Sequence, residues 1–190
     1  MAGETPARRV RYQVAASLDG YVAGPKGEAD WIPMDPDIDF GALFAQFDTM
    51  LMGRRTFQAT VPQGKPGTAT RKKKTSGGAF GMTTVVFSRT LNPADYPGVE
   101  IVSDDPAAAI ARLKAKPGKD LWLFGGGDLF RSLASLGLVD RVEIALVPVM
   151  LGGGVPLFPT STSRVPLKLD KQRTYEKSGI VLLEYQVVSG

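Results

Sequence analysis

The strongest chemical signal in the sequence is a run of glycines between an apolar segment and the start of a helix. The apolar segment, residues 121–124, is typical of a buried strand. Glycines let the backbone approach a ligand closely, and a helix start offers unpaired N–H groups and a positive dipole end. A phosphate-binding loop and a plain tight turn would both require these residues. The run and the helix start comprise Gly125, Gly126, Gly127, Asp128 and Leu129.

A second candidate phosphate contact follows another short apolar segment, residues 49–52, and a helix can begin directly after it. Cations are unfavourable at a helix N-terminus unless an anion joins them, and a guanidinium is shaped for bidentate contact with phosphate. The pattern favours an anion site, although two solvent-facing arginines would give the same sequence. The residues are Gly53, Arg54, Arg55 and Thr56.

Two further strand-like segments end in residues that suit a nucleotide. Ser88 and Arg89 follow residues 83–87 and could hold the phosphate that distinguishes NADPH from NADH. Ala15 and Ala16 end the first strand and would give a flat surface for a ring. Taken alone, the first pair is an ordinary polar turn. Both pairs gain weight from the motifs above, because ligands of open α/β sheets bind at strand carboxyl ends.

The composition excludes several kinds of chemistry. The chain has no cysteine and no histidine, which rules out disulfides, His- or Cys-based zinc sites and Ser-His-Asp or Cys-His nucleophile pairs. We therefore expect no metal, and proton transfer must come from carboxylates, Tyr, Lys or water. Neither a G-x-G-x-x-G fingerprint nor a Walker loop occurs, which disfavours a standard Rossmann domain.

Charge and hydropathy favour a cytoplasmic protein. No run of about 18 apolar residues occurs, and the N-terminus lacks the apolar core of a signal peptide. The net charge of +4 is mild, and the basic residues are scattered apart from residues 71–74, which lack interleaved aromatics. We therefore expect no membrane contact and disfavour nucleic acid as a partner.

The elements that must position these residues alternate between strand-like and helix-like segments. Such alternation predicts a mainly parallel α/β sheet with helices on both faces. Residues 167–174 and 180–188 predict a C-terminal antiparallel hairpin, which makes the sheet mixed. One helix is expected to carry Phe40, Leu43, Phe44 and Phe47.

We expect a single domain over residues 1–190. Residues 1–8 are expected to be a disordered lead-in, since they carry no apolar pattern. Residues 62–81 are rich in Gly, Pro, Thr and Lys, which predicts a mobile loop.

In this order, the motifs resemble the dihydrofolate-reductase-like superfamily. Over roughly residues 9–188, the chain is most similar to the reductase domain of bifunctional riboflavin-biosynthesis deaminase-reductases. The resemblance implies a three-layer αβα fold. It rests on Ser17-Leu-Asp-Gly with Ala23, Asp30-Trp31, Met52-Gly-Arg-Arg-Thr56, Phe87-Ser-Arg-Thr-Leu91, Phe124-Gly-Gly-Gly-Asp-Leu129, Gly137-Leu-Val-Asp140 and Pro148-Val-Met-Leu-Gly-Gly-Gly-Val-Pro-Leu-Phe158.

The resemblance also implies NADPH as the cofactor. The pyrophosphate would lie between residues 53–56 and 125–129. The adenosine 2′-phosphate would lie near Ser88 and Arg89, with Arg54 or Arg55 as a further contact. The nicotinamide would stack on the alanine pair that ends the first strand. Homodimers are common in the riboflavin branch, and the antiparallel strands would form the interface.

The same resemblance suggests a substrate site. Ser17, Asp19 and Trp31 would contact the substrate, although Asp19 and the glycine after it are equally good turn residues. In dihydrofolate reductases a carboxylate lies at the start of the helix before the Met-Gly-Arg motif. Counting back from Gly53 without a gap places Asp37 there, where it could bind a pterin or pyrimidine edge and protonate it. Asp37 could equally be part of an acidic helix start.

Two departures from the riboflavin reductases stand out. Residues 33–50 contain no Lys or Arg, whereas those reductases carry basic residues there that hold the substrate's ribose phosphate. The zinc deaminase half has no counterpart, because its ligands are His and Cys. The leading hypothesis is an NADPH-dependent reductase of a small pterin- or pyrimidine-like substrate. A non-catalytic NADPH sensor that binds a partner protein is the alternative.

Overall fold

The strands form where short apolar runs alternate with Gly- and Pro-containing turns. The structure is a computed structural model that describes residues 7–60, 81–160 and 164–188. Its strands are β1 (Val10–Ser17), β2 (Tyr21–Ala23), β3 (Phe47–Gly53), β4 (Thr83–Phe87), β5 (Val99–Val102), β6 (Asp120–Gly125), β7 (Arg141–Val147), β8 (Val155–Pro156), β9 (Leu167–Tyr175) and β10 (Ile180–Val187).

An eight-stranded sheet has the order β5-β4-β3-β6-β1-β7-β10-β9. The strands from β5 to β7 are parallel, and β10 is antiparallel to both β7 and β9. The predicted mixed sheet and its C-terminal hairpin are therefore confirmed. The short strands β2 and β8 pair with each other at the side.

Helices cover both faces of this sheet. They are α1 (Phe40–Phe44), α2 (Arg54–Thr60), α3 (Pro106–Lys114) and α4 (Gly127–Ser135). Strand alternation divides the core in two. Leu121 and Leu123 of β6 face α3 and α4, whereas Trp122 between them faces α1 and α2. In the described ranges, helices of membrane-spanning length and hydrophobicity are absent.

The helix predicted around Phe40 is shorter than expected. It ends at Phe44, and Phe47 begins β3 instead. Phe47 is 3% exposed and stacks on Trp122, with a centroid distance of 5.5 Å. Burial of the Phe47 ring against Trp122 therefore decides that Phe47 belongs to β3. Its spacing of three residues from Phe44 resembles a helical spacing, but a short turn separates the two residues.

The predicted lead-in and loop fall largely outside the described residues. Residues 1–6 and 61–80, with the basic tract at 71–74, lie there. Arg8 contradicts the prediction of a disordered lead-in over residues 1–8, because it is 6% exposed. Its guanidinium donates to Leu113 O at 3.1 Å and to Thr49 Oγ1 at 2.9 Å, and it pairs with Asp48. Arg8 is thus packed against the domain although it precedes β1.

Candidate active site at the carboxyl edge of the sheet

Four strand ends that carry the sequence motifs lie side by side. β4, β3, β6 and β1 are consecutive and parallel, so their carboxyl ends share one edge. The register places Gly53 beside Phe87, and Met52 beside Gly125. The glycine run, the arginine motif, the turn after β4 and the end of β1 therefore meet along one edge, where open α/β sheets bind ligands.

The arginine motif and the glycine run contact each other. A Cβ atom on Gly126 would lie 3.1 Å from Thr56 Oγ1, and one on Gly53 would lie 3.7 Å from Leu129 Cβ. Gly126 is the N-cap of α4 and supplies no side-chain cap. The first N–H groups of α4 therefore lack a side-chain acceptor and face the same surface as Thr56, a geometry that suits phosphate oxygens.

Glycine occupies each of the three positions of the run for a different structural reason. Gly125 has a φ of +133°, which side-chain-bearing residues rarely adopt. A Cβ on Gly127 would lie 2.7 Å from Pro159 Cδ, so packing requires a small residue there. Gly126 has a φ of −85°, which other residues adopt, and a Cβ atom added to it would contact Thr56 Oγ1. Gly126 is therefore the glycine that keeps the surface itself open.

Positive charge faces this edge. Arg54 and Arg89 are exposed, and neither has a carboxylate partner among the described residues. Arg55 is also exposed, and its Nη1 lies 3.8 Å from Asp128 Oδ2. Asp128 has a second partner in Arg131, at 3.3 Å. Two guanidiniums therefore remain available for an anionic ligand, while Asp128 faces arginines rather than a ligand phosphate.

Ser88 shapes the turn that carries Arg89. Its Oγ accepts from the backbone N–H groups of Thr90, at 3.2 Å, and Leu91, at 3.1 Å. The residue is 8% exposed. Ser88 therefore positions the turn, and because these two bonds leave its O–H free to donate, the predicted phosphate contact of Ser88 stays a prediction.

Ala15 and Ala16 point to opposite faces of the sheet. Ala16 is fully buried in the core with Tyr12, so its side chain does not form part of the open face, and the predicted contact between its backbone and a ring stays a prediction. Ala15 is half-buried on the α1 side, where Trp31 and Ile38 pack against the same apolar cluster. A planar ligand at this edge would therefore meet Ala15, with the Trp31 side of the loop as a second apolar wall.

Ser17 and Asp19 tie two loops together. Ser17 is fully buried, which excludes the predicted substrate contact. Asp19 accepts from Ser17 Oγ at 2.6 Å and from the N–H groups of Leu151 and Gly152 at 3.1 and 2.7 Å. The Ser17 hydrogen bond is the largest cause that lowers the pKa of Asp19; burial opposes it, and the N–H groups of Gly152 and Leu151 lower the pKa further. The Asp19 carboxylate thus has mainly a structural role, because it holds the two loops together.

Asp37 lies outside the helix that was expected to begin with it. α1 begins at Phe40, and Asp39 is its N-cap, accepting from Ala42 N at 2.8 Å. Asp37 lies in the preceding turn, and its Oδ1 is 2.9 Å from Lys177 Nζ. This hydrogen bond raises the pKa of Lys177, so the ammonium is charged at neutral pH.

Asp35 and Lys177 are site-adjacent residues that sequence reasoning missed. Asp35 is 3% exposed and accepts from Asp37 N at 2.8 Å and Ser178 N at 3.0 Å. The turn between β9 and β10 is thereby fixed against the loop before α1. Lys177 also offsets the negative charge expected from residues 33–50. No local signal indicates this contact, because Lys177 is 140 positions from Asp37.

Comparison with known proteins identifies the family. The model described as the RibD C-terminal domain matches residues 8–182. The chain belongs to the RibD C-terminal domain family. It is 36% identical over 189 residues to "Uncharacterized protein YyaP" of Bacillus subtilis (strain 168), which covers 97% of this chain and 98% of YyaP.

Solved structures agree with this assignment of fold. A "Putative riboflavin biosynthesis protein" from Shewanella sp. PV-4 superposes with a TM-score of 0.73 at 27% identity, covering 96% of this chain and 99% of that one. The diaminohydroxyphosphoribosylaminopyrimidine deaminase/5-amino-6-(5-phosphoribosylamino)uracil reductase of Thermotoga maritima gives 0.68 at 18% identity, covering 96% of this chain and 57% of that one. The RibD C-terminal domain here thus has the predicted three-layer, dihydrofolate-reductase-like fold.

The RibD C-terminal domain of this chain includes every site residue described above. The residues that fit a dinucleotide phosphate are the uncapped start of α4, Thr56 and the two unpaired arginines, Arg54 and Arg89. An apolar cavity of about 200 Å³ lies elsewhere, beside the second half of α4, and is lined by Phe130, Ala134, Phe158 and Leu167 among others. Its lining suits packing rather than a charged cofactor.

Proposed function

We propose that this chain is an NADPH-dependent reductase that transfers hydride to a small heteroaromatic, pyrimidine- or pterin-like substrate. The observation that carries the proposal is the contact between two strand-to-helix turns, 3.1 Å from Thr56 Oγ1 to the Cβ position of Gly126. Arg54 at the start of α2 and Arg89 in the turn after β4 lie beside it, and neither has a carboxylate partner among the described residues. Reductases of RibD type, such as the Thermotoga maritima protein named above, support the substrate class.

The proposed roles of this chain's residues follow from their positions. The start of α4 and Thr56 bind the pyrophosphate, and Arg89 binds the 2′-phosphate, which favours NADPH over NADH. NADPH supplies the hydride when bound. Ala15 supports the nicotinamide ring from the α1 side of the sheet, and Trp31 and Ile38 limit access of water to the substrate.

Reduction of a C=N or C=O bond also requires a proton on nitrogen or oxygen. Hydride goes to carbon, and the heteroatom takes the proton. We assign proton delivery to Asp37, which is exposed, lies one residue before Ile38 in the loop before α1, and pairs with Lys177. The Asp37 carboxylate would take up a proton from water and pass it to the heteroatom, and the Lys177 ammonium would stabilise the carboxylate that this regenerates.

The test is a titration of the purified protein with NADPH and with NADH, followed by nicotinamide fluorescence. We expect micromolar binding of NADPH and much weaker binding of NADH. Arg89→Ala should weaken NADPH about 10- to 100-fold, since a charge-assisted hydrogen bond contributes about 1.5–3 kcal/mol, and should leave NADH nearly unchanged. Arg54→Ala should weaken NADPH as well.

Arg112→Ala is the matched control. Arg112 is an exposed arginine that pairs with Glu100 on the α3 side, away from the strand carboxyl ends. Its replacement should change neither titration. Failure of the wild-type protein to bind either nucleotide would contradict the proposal. Binding of NADPH without oxidation by any heteroaromatic substrate would favour the NADPH sensor instead.

We also propose a homodimer in which β9 lies at the interface. This edge strand exposes Leu167 and Leu169, which are 40% and 48% accessible. Exposed apolar edge strands in native proteins are usually covered. Analytical ultracentrifugation should give a dimer for the wild type and a shift toward monomer for Leu169→Lys, whereas a monomeric wild type would contradict the proposal.

A further inference from the structure

Gln13 is a buried polar residue on the same side of the sheet as Ala15. It is 8% exposed, and its Oε1 has no hydrogen-bond partner among the residues that the structure describes. Gln13 precedes Ala15 by two positions in β1, so both side chains emerge on the same face. Buried side-chain amides are nearly always hydrogen-bonded, and an unpaired one requires an explanation.

The surrounding groups do not satisfy this carboxamide. The register of β1 and β7 places Gln13 opposite Glu143, whose two carboxylate oxygens accept from Arg11 Nε and Nη2, each at 2.7 Å. The indole of Trp122 donates to the backbone carbonyl of Gln13, at 3.0 Å, and leaves the side chain free. Glu143 and Trp122 therefore fix the strand around Gln13 without using its amide.

Toward the carboxyl edge, the same face is apolar. Ala15 and the paired Ala145 follow Gln13 and Glu143, and both are half-buried. The half-buried Leu182 pairs with Ala145 from β10. Gln13 therefore lies two positions before Ala15 on the same face, where the apolar surface formed by Ala15, Ala145 and Leu182 meets the interior.

We propose that the Gln13 side chain recognises the substrate by pairing with a cis-amide or neutral amidine edge of its ring. A primary amide presents an acceptor and a donor side by side, which matches the donor and acceptor of a lactam or amidine edge. The proposal rests on the proposed function, because it places the substrate ring over Ala15. It selects an uncharged heterocycle with one free N–H over its N-alkylated form.

The experiment compares two fluorescent probes, pteridine-2,4-dione and its 1,3-dimethyl derivative, which lacks both ring N–H donors. Each is titrated into wild type, Gln13→Leu and Gln13→Met in the presence of NADP+. In separate titrations, NADPH is added to each of the same three proteins. We expect the wild type to bind the dione at least tenfold more tightly than the dimethyl form. Both variants should lose this preference and bind NADPH within twofold of wild type.

A second measurement does not depend on a variant that folds well. In wild-type protein labelled with nitrogen-15, the Gln13 side-chain NH2 signals, assigned by their loss in Gln13→Met, should shift on addition of the dione and not of the dimethyl form. A preference that persists in both variants, no preference in the wild type, or unshifted signals would overturn the proposal.

Failure of the proposed function has a separate signature. If NADPH does not bind the wild type, the reductase proposal fails, whatever the dione does. If NADPH binds normally and the dione is not distinguished from its dimethyl form, the inference about Gln13 fails alone. A purely structural Gln13 would leave both ligand titrations of Gln13→Met equal to those of the wild type.

Discussion

The hydroxyl oxygen of Thr56 lies 3.1 Å from the position that a Cβ atom on Gly126 would occupy. The distance joins the first turn of α2 to the N-cap of α4. Contacts of this length are tighter than most Cβ contacts, so an added methyl group would displace the hydroxyl or narrow the surface between the helices. Two motifs that are 70 residues apart in sequence thus form one surface.

Gly126→Ala should weaken NADPH binding by roughly tenfold or more, about 1.4 kcal/mol, because the methyl group would occupy the phosphate surface. Stability should change little, since Gly126 has a negative φ that alanine adopts freely. Nucleotide titration and urea unfolding check the two effects on the same samples. Unchanged NADPH affinity would contradict a pyrophosphate site between residues 53–56 and 125–129.

Gly127→Ala is the matched comparison, one residue further on. A Cβ there would lie 2.7 Å from Pro159 Cδ and 3.0 Å from Leu157 O. Overpacking of this kind typically costs about 1–3 kcal/mol. We therefore expect Gly127→Ala to lower the urea midpoint, whereas Gly126→Ala should act mainly on affinity.

Most of the fold could be predicted from the sequence because its strands are short, apolar and separated by turn residues. The strand-like segment at residues 83–87 forms β4 with the predicted bounds. Asp105 caps α3 and Pro106 begins it, and a carboxylate followed by proline is a residue pattern typical of a helix start. Phe47 was misassigned because helical spacing alone does not show where a connection interrupts a helix.

The candidate site was predictable only in part. Its motifs follow strand ends in sequence, but the adjacency of β3 and β6 is a property of the strand order. Alternation shows that Ala15 and Ala16 face opposite sides, not which side is open. The roles of Ser17 and Ser88 depend on hydrogen bonds to nearby backbone that residue types alone do not determine. Long-range pairs such as Asp37 with Lys177 have no local signal.

A buried ion pair offers a test of what holds the other end of the sheet. Arg11 and Glu143, 8% and 1% exposed at the side chain, form a two-point pair between β1 and β7. Glu143→Leu should lower the free energy of unfolding by about 3–5 kcal/mol, because it leaves the Arg11 charge buried without its main partner. Urea denaturation measures the change.

The double variant Arg11→Met/Glu143→Leu should recover most of that loss, because it removes both charges and fills the space with apolar atoms. Arg9→Ala serves as an exposed control: Arg9 is half exposed and pairs with Asp120 at 2.9 Å, which predicts a change of about 0–1 kcal/mol. A loss for Glu143→Leu as small as that for Arg9→Ala would show that the buried pair contributes little.

The pKa of Asp19 links stability to acid pH. Hydrogen bonds from Ser17 and then from the loop at 151–152 lower that pKa in the folded state. The resulting stabilisation is present above the unfolded value of about 3.9 and is lost as pH falls through the folded value. The free energy of unfolding should therefore be insensitive to Asp19 from pH 7 to 5 and fall below about pH 4.

Asp19→Asn should be less stable than the wild type at pH 7, and the two stabilities should converge toward pH 2, because the variant lacks the titrating group. Urea unfolding at intervals between pH 2 and 7 measures this convergence. Curves for Asp19→Asn and the wild type that stay parallel from pH 7 to pH 2 would contradict the link.

Asp37 and Asp39 are neighbouring carboxylates with different contacts, which makes them a matched pair for testing proton delivery. Asp37→Asn should lower kcat about 10²–10⁴-fold with a substrate that oxidises NADPH, because the amide cannot donate the proton as an acid does. NADPH affinity should not change. Asp39→Asn should retain kcat, since asparagine also caps a helix and Asp39 only accepts from Ala42 N. If both variants retain kcat, the proton reaches the substrate from water instead, and Lys177 pairs with Asp37 only to hold the β9–β10 turn in place.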